Sequence, residues 1–254
     1  MSVEKQILIY ERAIPVSKQR HEKVSVDAKD HFAFAQSINA VPIVIGEFSS
    51  IAREYPIIFV SANSKVQPMA MVGLRDNENL FVSSDGSWES HYVPAFIRRY
   101  PFIFSKNEGE DKFVLCIDEE FEGFNTEGKG SALFDDEGEA SDYLKKMLGF
   151  LTTYQRELQA TERFSERLSD LDILSPSEIS FQLGDGKKAK TRGLLSVDRD
   201  KLANLSQESL SELLSSGDLE RIFAHILSLG AVDTFGSKLR ERLGVPSTTG
   251  PSKL

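Results

Sequence analysis

From Ser141 to Leu171 the chain carries one unbroken apolar stripe. Leu144, Met147, Leu151, Tyr154 and Leu158 follow at steps of three and four residues, and Phe164, Leu168 and Leu171 continue the face. Such a helix, about 40 Å long at 1.5 Å per residue, can cross a domain or bridge two. Its stripe needs an apolar layer to lie against, because a one-sided helix is stabilised by burial rather than by propensity.

The preceding residues are suited to supply that layer as strands. Ile7-Leu-Ile-Tyr10 and Lys23-Val-Ser-Val26 read as extended. Ile57-Ile-Phe-Val60, Met69-Ala-Met-Val72 and Asn79-Leu-Phe-Val82 are short apolar runs between turn signals, and they predict an antiparallel meander closed at Asp85-Gly86. Pro101 to Phe104 and Phe113 to Ile117 add two strands. Two helices are expected among them, from Pro42 to Glu54 and over about two turns between Val93 and Tyr100.

Pro176 is expected to end the long helix, and beyond it the alternation of Ile179 to Leu183, the turn at Gly184-Asp185-Gly186 and the return through Leu194, Leu195 and Val197 predict a hairpin. Two closing helices follow. One carries Leu205, Leu210, Leu213 and Leu214 and stops at Gly217; the other starts at Asp218 and carries Leu219, Ile222, Phe223, Ile226 and Leu227, with His225 at the edge of its apolar face. The expected class is α+β: an antiparallel sheet in the N-terminal half packed by the long helix, with a C-terminal hairpin and helices. As one domain or two packed lobes, the division falls into a mainly β lobe over 1–140, a helical lobe with its hairpin over 141–243, and a disordered tail over 244–254.

Charge excludes one class of partner. Lys and Arg number 30 against 39 Asp and Glu, a net −9, so no basic footprint for nucleic acid exists. Between Lys106 and Asp142 stand 13 acids and 3 bases, net −10, while the remainder is 26 against 27. No run approaches the length of a membrane span, and the apolar run Ile7 to Tyr10 is too short for a secretory leader. A soluble, cytoplasmic chain is expected.

Catalytic and metal signatures are missing. Cys116 is the single cysteine and lies in an apolar strand run, where it packs as a small hydrophobe. His21, His31, His91 and His225 show no metal-ligand spacing. Asp118-Glu-Glu-Phe-Glu-Gly123 begins like a calcium loop, but its twelfth position is Lys129 where a bidentate Glu belongs, so a solvated acidic loop and no metal or cofactor is expected. The richest stretch is Gly86 to Phe102. It holds Trp88, His91, Tyr92, Arg98, Arg99 and Tyr100, aromatic walls beside guanidinium groups that grip carboxylates and stack on rings. These six are the candidate ligand- or partner-binding residues. The competing reading is that the aromatics, including Phe96, form a buried helix stripe, with the arginines paired to the acidic segment.

The same stretch carries a family resemblance. Tyr55-Pro-Ile-Ile-Phe59, Ala70-Met-Val-Gly-Leu74, Asn79-Leu-Phe-Val82, Gly86-Ser-Trp88 and Tyr92-Val-Pro-Ala-Phe-Ile-Arg-Arg-Tyr-Pro-Phe102 resemble the SapC family of bacterial proteins. So do Phe181-Gln-Leu, the Asp185-Gly186 turn, Leu195-Ser-Val-Asp198 with Lys201-Leu202, and Gly217 through Leu229, giving a likeness over roughly residues 5–235. The family takes its name from a surface-array locus that also encodes a secretion system. Other members lie near genes for halogenase-like flavoproteins, cupin-like proteins and outer-membrane receptors. The resemblance implies an accessory protein that binds a protein or peptide partner linked to surface-layer or envelope protein export or uptake. Its alternative is an enzyme or ligand-binding subunit working with a flavin-dependent halogenase-like or cupin-like enzyme. A third reading is an acidic chaperone-like factor acting through Lys106 to Asp142. No catalytic residues, and no oligomeric state, come with the resemblance.

Overall fold

The computed structural model describes residues 9–29, 31–106, 112–182 and 188–242. In chain order the elements are β1 (Ala13–Pro15), α1 (Lys18–His21), β2 (Ser25–Val26), β3 (Ala40–Pro42), α2 (Phe48–Ile51), β4 (Ile57–Ala62), β5 (Lys65–Met71), α3 (Ala95–Arg98), β6 (Phe102–Lys106), β7 (Phe113–Asp118), β8 (Phe124–Asn125), β9 (Ser131–Ala132), α4 (Asp142–Asp170), β10 (Leu174–Gln182), β11 (Lys188–Val197), α5 (Arg199–Ala203), α6 (Gln207–Ser215), α7 (Asp218–Ser228) and α8 (Val232–Arg242). The fold is α+β: antiparallel sheets with one long helix and C-terminal helices.

Two compact units are each drawn from three segments: Met1–Gln36, Val82–Glu89 and Ala95–Glu157 in the first, Ser37–Phe81, Ser90–Pro94 and Leu158–Leu254 in the second. The division falls inside α4. The first unit holds two three-stranded sheets, ordered β1-β7-β6 and β8-β2-β9. Its core joins Val26, Phe102, Ile117, Phe121 and Leu133 to Leu144 and Leu151 of the helix stripe. Ser141 starts that helix, its hydroxyl accepting from the Leu144 amide at 3.2 Å.

The second unit is built on a five-stranded sheet, β10-β11-β4-β5-β3. Asn63 and Ser64 both take positive φ, the two-residue turn that matches strand twist, and they set Ala62 opposite Lys65 and Ile57 opposite Ala70. The C-terminal hairpin extends this sheet through Leu194 opposite Val60 and Leu195 opposite Phe59. His225 of α7 ties the two strands together. Its Nε2 accepts from the Val197 amide at 3.1 Å, which leaves the proton on Nδ1, 2.9 Å from the Ile57 carbonyl. Ser228 completes the clasp by accepting from the Ile57 amide at 2.8 Å. His225 is therefore wholly buried core, not an edge residue, and burial draws its pKa down to about 4.

Several elements depart from the sequence expectation. Ile9 and Tyr10 are buried but in no strand, and residues 7 and 8 lie outside the described residues. Pro42 ends β3 instead of opening a helix, and the expected helix shrinks to a short 3-10 turn plus the single turn of α2. β3 takes the place on β5 that Asn79 to Val82 was expected to hold. That run is buried without entering the sheet, bonded there by Leu80 N–H to the Val72 carbonyl at 2.7 Å. Pro176 does not stop α4, which ends at Asp170; it sits in β10, an edge strand, where a missing N–H is tolerated. α5 and α8 were not anticipated. The hairpin tip at 184–186 and the tail over 244–254 lie outside the described residues.

Candidate partner-binding surface

Trp88 is held by a tight turn in the first unit. Gly86 takes φ 84°, a conformation that a side chain disfavours, and its N–H bonds the Ser83 carbonyl at 3.1 Å. Asp85 accepts from the Ser83 hydroxyl, and then from the Ser87 hydroxyl at 2.9 Å and amide at 3.2 Å, which keeps its carboxyl below the usual carboxylate range. Val82 and Trp88 then pair across the turn as an isolated bridge. The indole meets Phe32 edge-on, with ring centres 5.7 Å apart.

From there an aromatic chain continues within the same unit. Phe32 lies 6.4 Å from Phe34, and Phe34 stacks on Tyr100 at 4.0 Å with only 28° between planes. Tyr100 meets Phe121 edge-on at 5.3 Å, and Phe121 receives the His31 ring at 5.8 Å. His31, Phe32, Phe34, Trp88 and Tyr100 all remain partly exposed, whereas Phe121 is buried. The sequence reading missed His31, Phe32, Phe34 and Phe121. The closely spaced Phe32-Ala-Phe34 was the available signal.

Beneath the aromatics lies a polar hub. Asp118 is fully buried at the end of β7, so it is not part of a solvated acidic face. One carboxylate oxygen accepts from Glu11 N–H at 2.7 Å and the Tyr100 hydroxyl at 3.2 Å; the other accepts from Arg12 N–H at 2.9 Å and Glu120 N–H at 3.3 Å. Four donors fill the roughly four lone-pair positions of a carboxylate. No acceptor capacity is left for a cation or for proton abstraction. Burial, and next the Asp118 charge, raise the Tyr100 phenol above its ordinary value, so it stays a donor. Tyr10 is raised as well, chiefly by burial, and donates to the Phe102 carbonyl at 2.7 Å. Glu119, next to the hub, faces His21 Nε2 at 3.2 Å and is gripped by the Arg20 guanidinium, which holds its carboxyl low.

The six residues singled out from the sequence separate. Trp88 and Tyr100 join the aromatic chain. Arg99 is buried to 3 % exposure, its guanidinium 4.3 Å from the Phe96 ring centre, 5.2 Å from Tyr154 and 5.8 Å from Tyr10. Arg98 is exposed, 5.3 Å from the Phe150 ring. Arg98 is the last residue of α3, a single turn too short to carry an aromatic stripe from Tyr92 to Tyr100. His91 and Tyr92 belong to the second unit. There the Tyr92 hydroxyl donates to buried Glu47 at 2.8 Å, its carbonyl accepts from Tyr55, and the His91 amide bonds Glu54 at 3.0 Å while its ring is open to solvent. Tyr92 thus serves a buried polar network.

An α+β protein with a partly exposed aromatic surface over saturated polar groups is the class these features define. The chain belongs to the SapC family, whose model matches residues 16–235. No curated protein and no solved structure gave a match. Among the described residues no helix is long and apolar enough to cross a membrane.

Proposed function

We propose that the protein is a cytoplasmic accessory factor that binds a protein or peptide partner through His31, Phe32, Phe34, Trp88 and Tyr100. The observation that carries this is the Phe34–Tyr100 stack, partly exposed together with Trp88 and Phe32 above a carboxylate with no spare acceptor sites. Rigid aromatics with exposed edges supply contact area at little entropic cost and are enriched at binding hot spots. The saturated Asp118 and the protonated phenols speak for recognition rather than proton transfer at this site. Family membership supports placing the partner among proteins of surface-layer or envelope export and uptake.

The test is affinity capture from the host with the wild-type chain and with a Phe34→Ser/Trp88→Ala variant, the captured proteins identified by mass spectrometry. The wild type should recover a surface-layer, secretion or envelope protein, and the variant should lose it while keeping its thermal unfolding profile. Equal recovery by both would overturn the assignment of this surface.

A further inference from the structure

We infer that α7 carries a self-docking face, on which a second copy of this chain seats its own α7 antiparallel, about a two-fold axis. The face is independent of the aromatic surface, which belongs to the first unit. Among the described residues four large apolar side chains are exposed, and three of them stand on two helices packed together: Leu214 on α6 at 69 %, and Phe223 at 50 % and Leu227 at 73 % on α7. From Ile222 to Val232 no Asp, Glu, Lys or Arg occurs. A helix that is apolar all round belongs in a buried setting. The fold covers one side of α7, through Ile222, His225 and Ile226, and leaves Phe223 and Leu227 to solvent.

Charge and spacing point to the occupant. A chain of net −9 repels its own copy, so two copies meet best over a stripe without charge, and this is one. A foreign partner finds no charge here to fix its register. Two copies of α7 fix their own. With Phe223 set against Leu227 of the second copy, a two-fold antiparallel crossing brings Leu219 opposite Ala231 and Glu220 opposite Gly230, each large side chain against a small residue. The 3-10 turn Leu229–Ala231 carries the stripe that far. Gly230 is exposed, and a Cβ built there would meet nothing within 4 Å, so Glu220 has room. The two Glu220 carboxylates then stand roughly 15 Å apart along the axis, beyond the Debye length of about 8 Å. A parallel crossing would set them side by side. The three exposed side chains offer roughly 300 Å² per copy. Two copies therefore fall at the low end of specific interfaces, below about 1,200 Å², and the dimer is weak, with Kd on the order of 10–100 µM.

Sedimentation equilibrium of the full chain, from about 1 µM to about 500 µM, is the test. The weight-average mass should rise from 28.4 kDa toward twice that value. Phe223→Ser/Leu227→Ser should hold it at the monomer value while keeping the thermal unfolding profile. Phe113→Ser, at the exposed phenylalanine of the first unit, should associate as wild type does. Phe223→Lys alone and Leu227→Glu alone should each weaken association at least about tenfold. An equimolar mixture of those two should regain it. The antiparallel crossing sets the introduced ammonium against the introduced carboxylate in one contact and leaves Leu227 against Phe223 in the other. Added salt should strengthen the wild-type dimer, because only net charge opposes it. A wild type that stays monomeric throughout, or one that associates no better than Phe223→Ser/Leu227→Ser, would overturn the inference. A mixture no more associated than its two components would overturn the antiparallel seat.

Discussion

Replacing His225 by leucine tests how the second unit is locked. In the folded chain the imidazole is wholly buried, accepts from Val197 N–H and donates to the Ile57 carbonyl. Leucine fills similar space but strands one buried donor and one buried acceptor, each costing about 1–3 kcal/mol. His225→Leu should therefore lose about 2–6 kcal/mol at pH 7.5. The pH dependence is more diagnostic. Burial lowers the folded pKa to about 4 from the ordinary 6.5, so the folded state holds fewer protons than the unfolded chain as pH falls. Stability from the neutral imidazole is complete above about pH 6.5 and drains away toward pH 4, amounting to about 3 kcal/mol at about 1.4 kcal/mol per pH unit. Glu119 and Asp198, whose carboxyls are held low, also lose stability in acid, but wild type and variant share them. Urea unfolding followed by far-ultraviolet circular dichroism at pH 7.5, 6, 5 and 4 gives the difference. The two curves should converge by about 3 kcal/mol across that range. Parallel curves would refute a desolvated, neutral His225.

Other outcomes follow from single sites. Leu151→Ala, in the core with Leu144 and Phe102, should cost about 2–5 kcal/mol in the same unfolding assay. Asp118→Asn should cost about 1–3 kcal/mol, because an amide oxygen cannot receive all four donors and its NH2 opposes at least one of them. Calorimetry with calcium chloride should show no micromolar site at Asp118 to Lys129, the lone pairs of Asp118 being taken. Arg98→Ala should stay within about 1 kcal/mol of wild type, whereas Arg99→Ala, which removes a desolvated cation from three rings, should exceed about 2 kcal/mol by thermal unfolding.

What the sequence revealed of the fold tracks periodicity. The α4 stripe was legible because Leu144, Leu151, Leu158, Phe164 and Leu168 are all buried and all apolar. The hairpin β4–β5 and the pair β6–β7 were legible because their runs are short and bounded by turns. The Asn79 to Val82 run was misread because burial does not require sheet pairing: Leu80, Phe81 and Val82 are buried while only isolated bonds hold their backbone. β3 was hidden because Pro42, a good first-turn residue, ends a strand just as well. The apolar face of α7 was misplaced for a different reason. Its buried side is Asp218, Ile222, His225, Ile226 and Ser228, three of them polar, while Phe223 is 50 % and Leu227 is 73 % exposed. Asp218 tolerates that position because Arg167 and Arg221 approach its carboxylate at 2.6 and 3.0 Å. Hydrophobicity alone turns this helix about 100° the wrong way, and Phe223→Ser or Leu227→Ser should consequently change stability by no more than about 1 kcal/mol.

The candidate site shows the same limit at closer range. Composition marked the stretch from Trp88 to Tyr100 as unusual, and two of its six candidates do lie on the aromatic surface. Which two could not be read locally, because the partners of Trp88 and Tyr100 lie more than fifty residues upstream, at Phe32 and Phe34. Arg98 and Arg99 make the point most sharply. They are identical side chains, adjacent in sequence, one exposed and one at 3 % exposure, and only the single turn of α3 decides between them. With Phe96 turned inward, the next-but-one residue lies about 200° around the turn and faces water, while Arg99 comes back over the Phe96 ring. The buried guanidinium then serves packing, and recognition falls to the rings that the turn at Gly86 and the Phe32-Ala-Phe34 segment leave partly open.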